Sequence, residues 1–277
     1  MRNKRILITG MAGSVGSELL KQLAPNNKIY GIDINETGIF DLIEEYQNEG
    51  CNVHGRVGDI RNEATVEEIF SDFKPQIVFH AAAYKHVTPM EWAPIEAIDT
   101  NIKGTYNIIK YTKRYEADKF IFISTDKAVQ SGSIMGATKR VCEIMVRNQG
   151  RGFVVVRFGN VLGSRGSVVP LWQKQVDENK PITITDPHME RYMMTIDQAV
   201  NLVISAAEMG KGGEIIILDM GERINVLELA KQVIKNSGKD ISIKEIGIRP
   251  GELLTEKLMF EEEEKVAIKK DNFYIIK

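Results

Sequence analysis

The chain has 277 residues, 43% hydrophobic and 27% charged, with 36 Lys and Arg against 38 Asp and Glu. That length allows a large domain plus a smaller lobe with a substantial core, and the charge balance lacks the basic surplus that a nucleic-acid-binding surface brings. Only Cys51 and Cys142 occur, with no Cys or His at ligand spacing, so neither a disulfide framework nor a metal site is expected, and a reducing cytoplasm fits.

The charged start MRNKR precedes an apolar run of about five residues that leads into glycines, which is too short for a signal peptide. No stretch nears the roughly 20 apolar residues of a membrane span. Strands are expected at 6–9, 28–32, 76–80, 120–124 and 153–158. Helices are expected at 14–23, stopping before Pro25, and at 94–115 and 134–148. This alternation predicts an α/β fold of Rossmann type, a doubly wound parallel sheet covered by helices on both faces. Past Asn160 the rhythm shortens, punctuated by Gly163, Gly166, Pro170, Pro181 and Pro187. Residues 1–160 are therefore expected to form a dinucleotide-binding domain and 161–277 a smaller substrate-binding lobe, partly interleaved with the sheet. The acidic run 261–264 reads as a solvated face.

The first strand runs into Gly10, Gly13 and Gly16, with Ser14 and Val15 opening the helix. In that context Gly10 permits the tight turn, Gly13 lets backbone approach a pyrophosphate, and Gly16 lets the helix pack on the sheet with its N-terminus facing the phosphates. Asp33 ends the second strand, where a carboxylate accepts hydrogen bonds from both ribose hydroxyls of an adenosine and repels a 2′-phosphate. No Arg stands beside it, so NAD is favoured over NADP. Asp59, followed by Ile60 after the next strand, suits either an adenine contact or a loop cap. Ala81, Ala82 and Ala83 leave the strand ending at His80 on the edge where open α/β sheets bind ligands.

The strand after that ends in Ser124, Thr125, Asp126 and Lys127. The segment MGATKR follows, with Met135 and Lys139 one helical turn apart. These features resemble the extended short-chain dehydrogenase/reductases, whose sites carry a Ser or Thr and a Tyr and Lys at Y-x-x-x-K spacing. Met135 stands in the tyrosine's place. A thioether has no proton to exchange, so it cannot serve as base for a substrate hydroxyl, and a Met on a helix is otherwise core packing. The neighbouring Asp126 and Lys127 supply acid–base groups instead. That change resembles the CapD-like nucleotide-sugar 4,6-dehydratases of capsule and glycan biosynthesis. The segments HAAAYKHV, STDKAV, MGATKR, VRFGNVLGSRGSVVP, ITDPHMERYMMT, GGEIIILDMG and IRPGE resemble that group in order.

The resemblance implies UDP-N-acetylglucosamine as substrate and a UDP-4-keto-6-deoxy-N-acetylhexosamine as product, by C4 oxidation, loss of water across C5 and C6, and hydride return to C6. In such a cycle Lys127 is the expected base at C5, its pKa lowered by burial and by Lys139. Asp126, with a raised pKa, is the expected acid for the C6 hydroxyl. The C4 hydroxyl proton leaves through Thr125, Lys127 or a water. Lys139 is expected on the nicotinamide ribose. Asn160 is expected on the diphosphate or sugar, Lys85 and His86 likewise, Ser167 and Val168 around the uridine, Arg191 on a phosphate as a bidentate fork, and Arg249 and Glu252 at the uridine ribose.

Two departures stand out. Leu253 replaces a frequent Lys, and the membrane-anchored N-terminal half of many relatives does not precede this sequence, which suggests a self-contained cytoplasmic enzyme. The family also implies a homo-oligomer formed through the helices at 94–115 and 134–148. A C5-inverting dehydratase, a UDP-sugar 4-epimerase and a catalytically silent NAD-binding scaffold remain as alternatives, the last disfavoured by Asp126, Lys127 and Lys139.

Overall fold

The computed structural model describes residues 1–277. Strand β1 (Arg5–Thr9) is buried after Arg5 and ends in Gly10, whose φ of +69° suits glycine alone without strain. Helix α1 (Ser14–Leu23) starts at the next turn, buries Gly16, Leu19, Leu20 and Leu23, and gives way to a tight turn containing Pro25. The alternation continues through β2 (Lys28–Asp33), α2 (Glu36–Asn48), β3 (Val53–Val57), α3 (Glu63–Phe73), β4 (Ile77–His80), α4 (Val87–Trp92), α5 (Pro94–Ala97), α6 (Gly104–Arg114), β5 (Lys119–Thr125), α7 (Ile134–Arg147) and β6 (Phe153–Phe158). Side chains of Asn35, Asn62 and Ser133 start α2, α3 and α7 by accepting from backbone N–H groups in the first turn.

The later chain adds β7 (Asn160–Val161), α8 (Val168–Asp177), β8 (Ile182–Ile184), β9 (Glu190–Arg191), β10 (Met193–Met194), α9 (Ile196–Met209), β11 (Ile215–Leu218), β12 (Ile224–Asn225), α10 (Val226–Ser237), β13 (Ile243–Glu245), α11 (Glu261–Val266), β14 (Ile268–Lys270) and β15 (Phe273–Ile276). The main sheet has nine strands in the order β14-β15-β11-β6-β5-β4-β1-β2-β3. Every pairing from β3 to β11 is parallel, and β15 and β14 finish that edge antiparallel. The chain winds outward one way from β1 to β3 and the other way from β4 to β6. This is the Rossmann-type doubly wound arrangement, with its crevice at the carboxyl ends of β1 and β4.

The large core runs from Ile6 to Ile276 and takes in α9, β11 and β15. A separate core of Trp172, Val176, Ile182, Ile184, Met189, Val226 and Ala230 belongs to the smaller lobe of α8, β8 and α10. The chain thus leaves the sheet after β6, returns through α9 and β11, leaves again for α10, and returns at β14 and β15. No helix is long and apolar enough to cross a membrane.

Three details differ from the sequence reading. Strand β3 lies at the sheet edge with only Val53 fully buried, so its polar VHGRV gives no apolar run. The helix expected over 94–115 is interrupted by a π-helical turn at Ile98–Lys103. That wider turn carries buried Asn101, whose Oδ1 accepts from Tyr84 N (2.8 Å) and whose Nδ2 donates to Tyr84 O (3.1 Å) and Thr138 Oγ1 (2.9 Å). The acidic run 261–264 is not wholly solvated either. Glu263 is buried because α11 turns it onto Arg157, which is itself fully buried. The Arg157 guanidinium donates to Glu263 Oε2 (2.7 Å) and to Glu143 Oε1 and Oε2 (2.9 and 2.7 Å), tying α7, β6 and α11 together.

Candidate active site

At the crevice between β1 and β4, a cleft of about 280 Å³ is lined by Gly10, Gly13, Asp33, Asp59, Ile60, Ala81, Ala82 and Ala83 together with Tyr84, Thr100 and Arg165. A Cβ on Gly10 would lie 2.7 Å from Ala82 N, and one on Gly16 would lie 2.0 Å from Gly10 O, so the turn can close only with glycine at both positions. Ser14, Val15 and Gly16 form the first turn of α1 behind Gly13 rather than the cleft wall, and Ser14 Oγ accepts from Arg165 N at 2.9 Å. Arg165 also donates to the Ala12 carbonyl, so a loop from beyond β7 is fastened to the glycine turn. Asp33 accepts from Ala12 N (3.0 Å) and Asn35 N (2.9 Å), which aims its carboxylate along the cleft. Asp59 is bound to Arg61 through both oxygens.

A second cleft, of about 360 Å³, lies between the sheet edge and the smaller lobe. Lys85, His86, Asn160, Ser167, Val168, Arg191, Arg249 and Glu252, expected from sequence to share one ligand, all line it, beside Lys127 and Glu256. Burial, with Lys127 nearby, lowers the pKa of Lys85, and burial with Lys85 lowers that of His86. Ser167 Oγ is buried without a hydrogen-bond partner. Arg191 departs from its expected part as a phosphate fork. Its Nη1 donates to the carbonyls of Glu190 (2.8 Å) and Leu254 (2.9 Å), its Nη2 donates to Leu253 O (2.7 Å), and its Nε faces Glu256 Oε1 at 3.5 Å. The guanidinium pins the segment around 254 to β9.

Between the clefts, the end of β5 carries a knot of charge. Lys127 Nζ lies 3.1 Å from Asp126 Oδ1, 2.9 Å from Glu256 Oε2 and 3.0 Å from Asn160 Oδ1. Thr125 Oγ1 donates to Asp126 Oδ1 at 2.8 Å. Two expectations are corrected here. Burial alone would lower the Lys127 pKa, but the Asp126 and Glu256 carboxylates outweigh it and the ammonium is held above its ordinary value. Burial alone would raise the Asp126 pKa, but the Lys127 charge and the hydrogen bonds from Glu256, Thr125 and Lys127 hold it low. Asp126 is also 0% exposed and lines neither cleft, and its Oδ2 receives no donor apart from what a protonated Glu256 can offer. The acid with a raised pKa is Glu256, pushed up to about 7 chiefly by burial, with the Asp126 charge adding to it and Lys127 opposing.

On α7, Met135 is buried against Met90 and Ala97, a packing position in the tyrosine's place. Lys139 lies one turn further on, its Nζ donating to Ile123 O at 2.8 Å and standing 4.6 Å from the Phe122 ring centre. Burial pushes its pKa down to about 8. Sequence reasoning missed Glu256, Arg165 and Thr100. Glu256 stands between Thr255 and Lys257, a polar triplet that reads as surface. Arg165 sits between glycines in GSRGS, the one local hint of a loop that closes on something. Thr100 gives no signal outside the π-helical turn.

A family described as polysaccharide biosynthesis protein matches residues 6–277. The capsular polysaccharide biosynthesis protein CapD of Staphylococcus aureus is 44% identical over 272 residues, 94% of this chain and 45% of that protein, so the chain spans less than half of that relative. A UDP-glucose 4-epimerase of Rickettsia bellii is 37% identical over 99% of this chain and 83% of its own length. The X-ray structure of Pen from Bacillus thuringiensis superposes with a TM-score of 0.94 at 37% identity, covering 99% of this chain and 89% of that one. Sequence, sheet order and site geometry agree: the chain belongs to the polysaccharide biosynthesis protein family, in the CapD-like branch of the extended short-chain dehydrogenase/reductases.

Proposed function

We propose that the protein is an NAD-dependent UDP-N-acetylglucosamine 4,6-dehydratase that retains configuration at C5. The observation that carries this reading is the Asp126–Lys127–Glu256–Asn160 knot at the strand edge between the two clefts, combined with a Met135 that is packed away from any proton transfer. A site without a tyrosine base but with buried carboxylates and an ammonium suits removal of water beside a ketone better than simple alcohol oxidation.

The first cleft fits a dinucleotide. Its glycine turn leaves no room for Cβ atoms, the N-terminus of α1 faces it behind Gly13, Asp33 suits a ribose diol, and buried Thr100 Oγ1 on its wall has no partner of its own. Bound there, NAD would accept hydride from C4 and return it at C6. Lys139, buried outside both clefts with its Nζ on Ile123 O, is the residue that would orient the nicotinamide ribose. In the second cleft, Arg249, Glu252, Ser167 and Val168 hold the uridine end, while Lys85, His86 and Asn160 hold the diphosphate and sugar. The Lys127 ammonium stabilises the negative charge that develops at C4 and C5 once the ketone exists. Exposed Ile95, Ile98, Tyr106, Val141 and Ile144 on the 94–114 segment and α7 supply an apolar face for a homo-oligomer.

A second reading, UDP-sugar 4-epimerase, is favoured by the Rickettsia bellii relative of that name. One incubation separates the two. With UDP-N-acetylglucosamine and no added reductant, the product is expected to have lost one water by mass spectrometry, with its C5 configuration read from proton NMR couplings. A product of unchanged mass with an inverted C4 would establish epimerisation, and unchanged substrate would leave a silent scaffold.

A further inference from the structure

We propose that Arg165 is a clamp on the diphosphate of the bound dinucleotide, carried on a strap whose far side belongs to the sugar cleft. The inference rests on the nicotinamide-cofactor reading above and deepens it. Two cations line the cofactor cleft, Arg61 and Arg165. Arg61 is already neutralised, its guanidinium lying 2.7 Å from Asp59 and 2.7 Å from Glu96. Arg165 bonds only to neutral groups: its Nη1 donates to the Ala12 carbonyl, and its backbone N–H donates to Ser14 Oγ at 2.9 Å. Ala12 and Ser14 flank Gly13, the residue that caps the start of α1. The guanidinium is therefore anchored where the helix N-terminus meets the cleft, with the N–H groups of Nε and Nη2 left for a ligand. The other charges on these walls are the carboxylates of Asp33 and Asp59. A doubly charged diphosphate needs a cation there, and Arg165 is the one free to supply it, as a planar fork that matches phosphate oxygens.

Arg165 sits on a strap, residues 163–166, bounded by Gly163 and Gly166 at φ of +71° and +69°. The remaining contacts of the strap face the sugar cleft. Lys85 Nζ donates to Ser164 Oγ at 3.3 Å, and Ser167 N donates to Ser164 O at 2.9 Å. Gly166 lies against His86, where a Cβ would come within 2.8 Å of the imidazole. Lys85, His86, Gly166, Ser167 and Val168 all line the sugar cleft. For a clamped dinucleotide to leave, the strap must lift from Ala12 and Ser14, and that motion draws Gly166 and Ser167 away from the sugar cleft. A sugar nucleotide seated against Lys85, His86 and Ser167 resists the same motion. Occupancy of the sugar cleft therefore tightens the hold on the cofactor, and by linkage the cofactor strengthens sugar-nucleotide binding by the same factor.

The test compares wild type, Arg165→Lys and Arg165→Met, measuring NAD and NADP affinity by calorimetry and NAD release by rapid dilution, with and without saturating UDP. Arg165→Met is expected to weaken NAD and NADP alike, by about thirtyfold. Arg165→Lys should weaken them less, because an ammonium keeps the charge and loses the fork. In wild type, UDP should slow NAD release about fivefold or more, and this effect should vanish in Arg165→Met. NAD affinity within about twofold of wild type in Arg165→Met would overturn the clamp while the cofactor reading stands. A loss confined to NADP would also overturn it, because the guanidinium would then serve a 2′-phosphate. Wild-type NAD release that UDP leaves unchanged would overturn the coupling between the clefts. Wild-type protein that takes up neither dinucleotide would overturn the cofactor reading as well. Arg165 is exposed, so the variants should melt as wild type does; should Arg165→Met fail to fold, unweakened NAD binding in Arg165→Lys would count equally against the clamp.

Discussion

Along the cofactor cleft the specification is written mainly in backbone: Gly10 at positive φ, Gly16 with no space for a Cβ, and three successive alanines. Along the sugar cleft it is written in charged side chains gathered from β4, β5, β9 and the segment near 250. The two materials constrain a sequence differently. A backbone requirement admits one or two residue types at a fixed spacing and can be read locally. A charge cluster depends on the sum of groups from distant elements, so each member looks ordinary until the chain has folded.

The contrast can be tested by striking each material in turn. The largest effect is expected at Lys127. Lys127→Met should reduce turnover by about a thousandfold, because the charge opposite the developing enolate is gone, while the glycine turn keeps its cofactor. Steady-state kinetics together with retained nicotinamide after desalting check this, and near-wild-type turnover would remove Lys127 from the chemistry. Next comes Arg157, a buried charge outside both clefts. Arg157→Met leaves Glu143 and Glu263 with only the partly exposed Arg140 between them and should cost about 3 kcal/mol in urea denaturation. Turnover below the transition should be unchanged, and a drop without loss of stability would mean this ion network serves the site rather than the fold. The smallest effect is expected at Asp33, the side chain proposed to favour NAD. Asp33→Ser should narrow the preference for NAD over NADP by about tenfold, read from paired binding titrations. An unchanged ratio would place the discrimination elsewhere in the cleft.

The Rossmann-type sheet was legible because β1, β4, β5 and β6 are continuous apolar runs and the glycine turn follows the first of them. Strand β3 was implied only by the placing of Asp59, because an edge strand buried at a single residue has no pattern of its own to show. The sugar-cleft residues were found by resemblance, and their convergence on one cavity could not have been seen in their spacing. What the sequence hid was electrostatic. Lys127 and Asp126 appeared as a base with a lowered pKa and an acid with a raised one. Adding one more buried carboxylate, Glu256, reverses both directions, since each pKa follows the net field of all its neighbours and not the chemistry of one pair.

Asn101 gives the two clefts a common wall. It grips Tyr84 by both its N–H and its C=O, so neither the peptide before Tyr84 nor the one after it can swivel without breaking a hydrogen bond. Tyr84 faces one cleft, and the next residue, Lys85, faces the other. These two pinned peptides therefore act as a rigid gauge between the clefts, which in the proposed reaction would fix the gap that hydride crosses. The widened π-helical turn that carries Asn101 is what brings its amide within reach of that gauge.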